Sequence, residues 1–317
     1  MMDWSDRHCR YFFRQLAPHA RVYSEMLTTG ALIHGDVARH LDFDRAEHPV
    51  ALQLGGSEPA DLAHCAKLGE SWGYDEINLN CGCPSERVQR GAFGACLMAE
   101  PHLVADCVKA MQDAVAIPVT IKHRLGIDTI EDYNFVRRFV EILSVAGCRT
   151  FIVHARNAIL KGLSPKDNRQ IPALKYDYVY RLKREFNDCC IVINGGITSA
   201  TEITDHLQFV DGVMLGRSAY HNPYVLTQIE AGLDGDRKPA ARAEVATAMW
   251  AYANAQVQSG TQLRTITRHM LGLYHGQPNA RAWRRLLCDP ARLAENSADL
   301  ILEARQLVEE EAIEISA

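Results

Sequence analysis

Short apolar runs rich in β-branched residues recur along the chain, and each is followed by a helix-length segment. The runs are Val22-Tyr23-Ser24, Val50–Leu54, Glu76–Asn80, Val119–Lys122, Phe151–His154, Ile191–Asn194 and Val213–Gly216. Most are apolar on both faces, as a parallel strand buried between two layers requires. The stretches Glu58–Gly73, Pro101–Ala114, Thr129–Ala146, Tyr176–Phe186 and Ser199–Phe209 are amphipathic at helical spacing. This alternation predicts a parallel α/β fold. Polar residues gather at the C-terminal ends of the strands: Gln53, Asn80, Lys122, His154, Asn194 and Gly216-Arg217. In a (β/α)8 TIM barrel that end is the active-site face. A doubly wound sheet would show a glycine-rich fingerprint after its first strand; the sequence has none, and the barrel is favoured.

Seven strands are visible where a barrel has eight. Met1-Met2-Asp3 reads as the tail of a strand entering a loop, so the first barrel strand is expected to be missing from this chain or reduced to a stub. Its neighbours must then close the gap or leave edges exposed. After Pro223 the pattern changes. Residues 234–239 read as a turn-rich linker, and from Ala240 onward the periodicity is helical, with breaks at His275–Pro278 and Cys288–Pro290. The expected division is a barrel over residues 1–233 and a small all-helical domain over residues 240–317.

Composition narrows the class only slightly. The chain has 317 residues, 47% of them hydrophobic and 23% charged, which is ordinary for a globular protein. No apolar run approaches twenty residues, and the polar start lacks the core of a secretory signal, so the expected location is the cytoplasm, with no membrane association. Ten cysteines in a chain of this type read as reduced thiols, several of them in core segments, rather than as a disulfide scaffold. Cys81-Gly82-Cys83 is too tight for a zinc knuckle, and no second Cys/His pair stands at metal spacing, so no metal is expected.

The formal charge of -5 speaks against a nucleic-acid binder until its distribution is considered. Between Thr261 and Arg292 there are six arginines (264, 268, 281, 284, 285 and 292) against the single acid Asp289; from Leu293 to the end there are seven acids against one arginine. On charge alone, two solvated helix faces explain this as well as a partner does.

Four segments carry candidate chemistry. Asn78–Val88 places thiols on the loop just beyond a strand, where a cysteine can act as nucleophile or proton donor; position alone does not separate Cys81 from Cys83. In Thr120–Gly126, Lys122 ends a buried strand, a costly place for an ammonium unless it meets an anion or a polar ring. Asn194-Gly195-Gly196 and Gly216-Arg217 end the last two strands, where barrels commonly build a phosphate site from backbone N–H groups.

Taken in order, Asn-Cys-Gly-Cys-Pro-Ser, Ile-Lys-His-Arg-Leu-Gly, Val-His-Ala-Arg, Asn-Gly-Gly-Ile and Leu-Gly-Arg resemble the tRNA-dihydrouridine synthases over essentially the whole chain. Ile266–Leu273 and Arg281-Ala282-Trp283-Arg284-Arg285 resemble the A-type branch in particular. The resemblance implies an FMN-binding barrel with a C-terminal helical bundle, NADPH as reductant, and tRNA as substrate, reduced at the D-loop uridine of position 20 or 20a. It makes Cys83, in Gly-Cys-Pro, the catalytic acid. It places flavin contacts on Gln53, Lys122, His154, Asn194, Gly195, Gly196, Gly216 and Arg217. It places tRNA contacts on Asn80, Lys166, Arg169, Arg281 and Arg284. The family's opening Ala-Pro-Met, which touches the flavin, is represented here by Met1 alone. Two other readings fit parts of the sequence. One is a small-molecule flavin reductase of the dihydroorotate-dehydrogenase kind, which would not need the basic helical segment. The other is a tRNA-binding barrel that has lost its chemistry.

Overall fold

The computed structural model describes residues 1–85, 88, 91–233 and 238–314, with side chains as far as Glu309. Residues 86 and 87 of the cysteine loop and residues 234–237 of the expected linker lie outside the described residues.

Seven strands form one sheet in chain order: β1 (Val22–Thr28), β2 (Val50–Gly55), β3 (Glu76–Cys81), β4 (Val119–His123), β5 (Thr150–His154), β6 (Cys190–Asn194) and β7 (Gly212–Met214). From β2 to β7 each neighbouring pair is parallel, so a crossover must separate every strand from the next. Helices Pro59–Ser71, Pro101–Gln112, Tyr133–Val145, Tyr176–Glu185 and Ala200–Leu207 supply those crossovers. This is the parallel, TIM-barrel-like alternation that the sequence pattern predicts.

The elements are shorter than the amphipathic stretches where local bonds compete. The stretch expected from Thr129 begins as a helix only at Tyr133. Asp132 caps it by accepting the Asn134 N–H at 3.2 Å, while Ile130 is held back by its N–H to the Ile127 carbonyl at 2.8 Å. That helix then buries Tyr133, Val136, Phe139, Val140 and Leu143, a single stripe at helical spacing.

Strand alternation decides which side chains face the helices. A side chain added at Gly69, in helix Pro59–Ser71, would meet Leu52 and Ile77 within 2.7 Å. Leu52 and Ile77 therefore face that helix, and Gln53, Glu76, Asn78 and Asn80, one residue out of phase, face the opposite, inner side of the sheet. Glu76 and Asn78 are fully buried there and Thr120 is 1% exposed, so the inner side is a dry polar layer.

Compactness divides the chain into two units that do not follow a single cut. The first comprises Met1–Met2, Tyr23–Ile197 and Thr201–Gly216; the second comprises Asp3–Val22, Thr198–Ala200 and Arg217–Ala317. The second unit thus includes helix Arg7–Leu16, a helix that the sequence reading did not single out and counted within the barrel span 1–233, although its signals are present. Asp6 caps it by accepting the Cys9 N–H at 3.0 Å, and Cys9, Phe12 and Leu16 form its buried stripe. Phe12 and Leu16 share one core with Met249, Ile266, Met270, Trp283 and Ile301, so the N-terminal helix belongs to the same hydrophobic unit as the C-terminal ones.

Candidate active site

The first unit brings its strand-end residues together through a continuous set of hydrogen bonds. Asn80, at the end of β3, accepts the N–H groups of Gly82 and Cys83 at 3.0 and 2.9 Å, and its amide donates to Gln53 Oε1 on β2 at 2.9 Å. The Cys83 carbonyl accepts from Ala95 N–H at 2.9 Å. On the other side of the loop, Arg124 Nε donates to the Gly82 carbonyl at 3.1 Å, while its Nη1 reaches the carbonyls of Asn157 and Asn168 at 3.0 and 2.8 Å. The cysteine loop is therefore clamped from two strands.

That geometry separates the two thiols. Cys81 is fully buried, and burial pushes its thiol well above the usual range, which leaves it an inert small hydrophobe. Cys83 is half-buried, with Sγ 3.6 Å from Ser85 Oγ, and is the thiol that a reactant can reach.

Lys122 ends β4 directly opposite Asn80 in the strand register. Burial, then the neighbouring Arg124 charge, lowers its amine from 10.5 to about 8, with Cys83 opposing the shift. Among the described residues its ammonium has no hydrogen-bond or ion-pair partner. His154, ending β5, is held well below its usual range by burial and then by Arg124, Lys122, Arg156 and Arg169. Its ring is therefore neutral, and its buried Nδ1 has no hydrogen-bond partner. An unpartnered cation, an orphaned ring nitrogen and neighbouring guanidinium groups at the strand ends make surroundings that suit an anionic or acceptor-rich ring.

The glycine loop lies in the same surroundings. Gly195 has φ +111°, and a side chain there would strike the His154 ring at 3.2 Å. Its carbonyl accepts the Tyr176 hydroxyl at 2.8 Å. Asn194 donates to the Met214 carbonyl at 2.7 Å, tying the ends of β6 and β7 together. Gly196 also has a positive φ, +80°. A side chain built on Gly216 would lie 3.7 Å from Met1 Sδ, which puts the N-terminal methionine beside the end of β7.

The remaining expected residues are distributed differently. Lys166 is exposed, and Arg169, half-buried, donates to the Pro165 carbonyl at 2.7 Å. Asn80, expected to touch RNA, has its carbonyl committed to two backbone N–H groups and its amide to Gln53, and works as a clamp for the cysteine loop. Arg217, Arg281 and Arg284 belong to the second unit. Arg281, Arg284 and Arg285 are exposed on helix Ala280–Leu287, whose other face buries Ala280, Trp283 and Leu287. Arg268 differs: it pairs with Asp6, which also accepts from His269 Nε2. Burial alone would raise the Asp6 carboxyl, but the bond and charge of His269, the Cys9 N–H and Arg268 hold it well below the carboxylate range. Sequence reasoning missed Arg124 and Arg156; their signal was a second cation just past the polar end of a strand.

Among the described residues no group of three His, Cys, Asp or Glu could hold a metal, and no helix is long and apolar enough to cross a membrane.

A parallel strand–helix sheet with a thiol, a buried lysine and a glycine loop at the strand ends defines a barrel-type enzyme. The solved structure of morphinone reductase has the same fold: TM-score 0.52, 13% identity, covering 73% of this chain and 82% of that one. The dihydrouridine synthase (Dus) profile matches residues 1–311. The chain belongs to the dihydrouridine synthase family, and so to the oxidoreductases. It is 55% identical over 317 residues to the tRNA-dihydrouridine(20/20a) synthase of Xanthomonas campestris pv. campestris, covering 100% of this chain and 94% of that protein. It is 54% identical over 310 residues to the proteins of that name from Pseudomonas syringae pv. tomato (98% and 92% covered) and Salmonella typhimurium (97% and 93% covered).

Proposed function

We propose that this protein reduces uridine to 5,6-dihydrouridine in the D-loop of tRNA, at position 20 or 20a, using FMN recharged by NADPH, in the cytoplasm. The observation that carries the proposal is the meeting of a reachable thiol, Cys83, with the unpartnered Lys122 ammonium at one strand-end site in a chain of this family. Gln53, Lys122, His154, Asn194 to Gly196, Gly216 and Met1 would hold the flavin. The orphaned His154 Nδ1, the unpartnered ammonium and the Gly195-Gly196 backbone are the features such a ring and phosphate would satisfy, and Arg217, the residue after Gly216, is the cation expected for the phosphate.

When bound, the reduced flavin supplies the hydride. The C5=C6 bond of uracil is conjugated to the C4 carbonyl, so C6 is electrophilic and C5 becomes basic as C6 is reduced. Cys83 Sγ delivers its proton to C5 as a general acid. Lys122 and Arg124 stabilise the thiolate left behind. The target base must leave its stack to reach the thiol, and Arg281 and Arg284, with Lys166 and Arg169, would hold the tRNA backbone.

The test is anaerobic: the flavin-loaded, reduced protein is mixed with tRNA lacking dihydrouridine. Flavin reoxidation that requires tRNA, with dihydrouridine appearing at position 20 or 20a, supports the proposal. Reoxidation by free uracil or orotate as fast as by tRNA would replace it with a small-molecule reductase.

Two further outcomes are expected. Lys122 carries its proton below about pH 8, and an anionic ligand favours the protonated form. FMN affinity should therefore be greatest below about pH 8 and fall by up to about tenfold per pH unit above it. Fluorescence titrations from pH 7 to 9.5 check this; a flat profile, or the same slope in Lys122→Met, would remove Lys122 from the flavin site. The Arg281→Ala/Arg284→Ala double variant should weaken tRNA binding and make its dependence on log salt shallower by about 1.5. An unchanged slope would take this helix out of tRNA recognition.

A further inference from the structure

The polar layer inside the sheet is not a set of isolated pairs. It is one chain of hydrogen bonds in which every donor points the same way. Gly82 N–H and Cys83 N–H donate to Asn80 Oδ1 at 3.0 and 2.9 Å. Asn80 Nδ2 donates to Gln53 Oε1 at 2.9 Å, and Gln53 Nε2 to Asn78 Oδ1 at 2.9 Å. Asn78 Nδ2 donates to Thr120 Oγ1 at 2.8 Å, and the Thr120 hydroxyl to Glu76 Oε1 at 2.6 Å. Tyr23 also donates to Glu76 Oε1, at 3.1 Å.

Both ends dictate this direction. Two backbone N–H groups can only donate, so Asn80 must present its carbonyl to them and its NH2 to Gln53. Gln53 must then accept there and donate to Asn78, and Asn78 must accept and donate to Thr120. At the far end Glu76 Oε1 accepts from two hydroxyls, those of Thr120 and Tyr23. Reversing any one amide would set two donors or two acceptors face to face in a buried layer, where unsatisfied polar groups are costly. The strand register makes the chain possible, since Gln53 pairs with Asn78 and Asn78 with Thr120 across adjacent strands.

We infer that Glu76, near the start of β3, is a positioning residue for Cys83, acting through Thr120, Asn78, Gln53 and Asn80. Glu76 Oε1, as the acceptor, orients the Thr120 hydroxyl, which sets each amide in turn and fixes the acceptor that holds the Cys83 loop. The same relay sets which way the Gln53 amide faces at the site. None of Glu76, Thr120 and Asn78 touches the reacting atoms. The catalytic part of this inference rests on the proposed role of Cys83; the pinning of the loop does not.

The test uses the full chain and two readouts. Hydrogen exchange at the Gly82 and Cys83 amides reports the pinning directly and needs neither substrate nor activity. Thr120→Val, which keeps the shape and removes the hydroxyl, should strip protection from both amides; Thr120→Ser, which keeps the hydroxyl, should restore it. Glu76→Gln, which lets the last group donate as well as accept, should also reduce protection. In turnover, Thr120→Val and Glu76→Gln should lower kcat roughly tenfold to a hundredfold, with the KM for tRNA little changed. In a Cys83→Ala background the same substitutions should cost nothing further, because they act through that residue.

Wild-type amide protection in Thr120→Val or Glu76→Gln would overturn the inference. So would losses that add fully to that of Cys83→Ala, since these would mean a general structural effect. A wild-type protein that pins the two amides yet does not reduce tRNA would defeat the proposed function while leaving the relay standing.

Discussion

Replacing Cys83 with alanine is expected to leave flavin binding intact and to slow dihydrouridine formation by a factor on the order of 10² to 10⁴, the range a positioned general acid contributes. The thiol is the half-buried group of the cysteine loop, whereas Cys81 is fully enclosed and pushed away from ionisation. The loss should appear in the step after hydride transfer begins. Single-turnover reoxidation of the reduced flavin by tRNA is the measurement of choice. Cys81→Ala is the internal control, expected to cost stability through its packing and to leave the rate close to that of the parent protein. A Cys83→Ala protein that turns over at the parent rate would end the proton-donor role, and solvent would have to be the acid.

Replacing Trp283 with alanine is expected to destabilise the helical unit by about 3–5 kcal/mol, the usual cost of emptying a large aromatic site. Trp283 is fully buried, its Nε1 donates to the Met270 carbonyl at 3.0 Å, and its ring packs on Tyr274 at 4.8 Å. The substitution leaves a cavity and removes one of the two hydrogen bonds to the Met270 carbonyl, which keeps the Leu273 N–H at 2.9 Å. Trp283→Phe should cost less, because it refills most of the volume and loses mainly the hydrogen bond. Denaturant unfolding followed by far-ultraviolet circular dichroism checks the order; a loss below about 1 kcal/mol for alanine would contradict the packing account. Helix Ala280–Leu287 presents Arg281, Arg284 and Arg285 outward from the face opposite Trp283. Weakened tRNA binding in Trp283→Ala would therefore follow from loosening the helix that presents them.

The class of fold was legible in the sequence because most of the strands, β2 to β5 above all, are buried on both faces and the helices that follow them on one. Burial of that kind leaves periodicity, and periodicity is local. All seven observed strands overlap the expected runs, and the ends of β2, β3, β4, β5 and β6 carry the polar residues that reading singled out. The family motifs could likewise be recognised in the linear chain, since each occupies one strand end and the loop beyond it.

What the sequence by itself left open were the relations between segments. It did not separate Cys81 from Cys83 by position, because two thiols on either side of a strand's end differ mainly in what packs around them. It did not show that helix Arg7–Leu16 joins the core of helices more than two hundred residues away, because shared burial between distant segments leaves no local pattern. It passed over Glu76 and Thr120 and did not show that Asn80 clamps the cysteine loop, since the donor direction that links them exists only when three strands are brought into register. Local pattern follows from which faces are buried; the choice of thiol, the clamp on its loop and the relay to Glu76 follow from packing across strands, which tertiary structure alone decides.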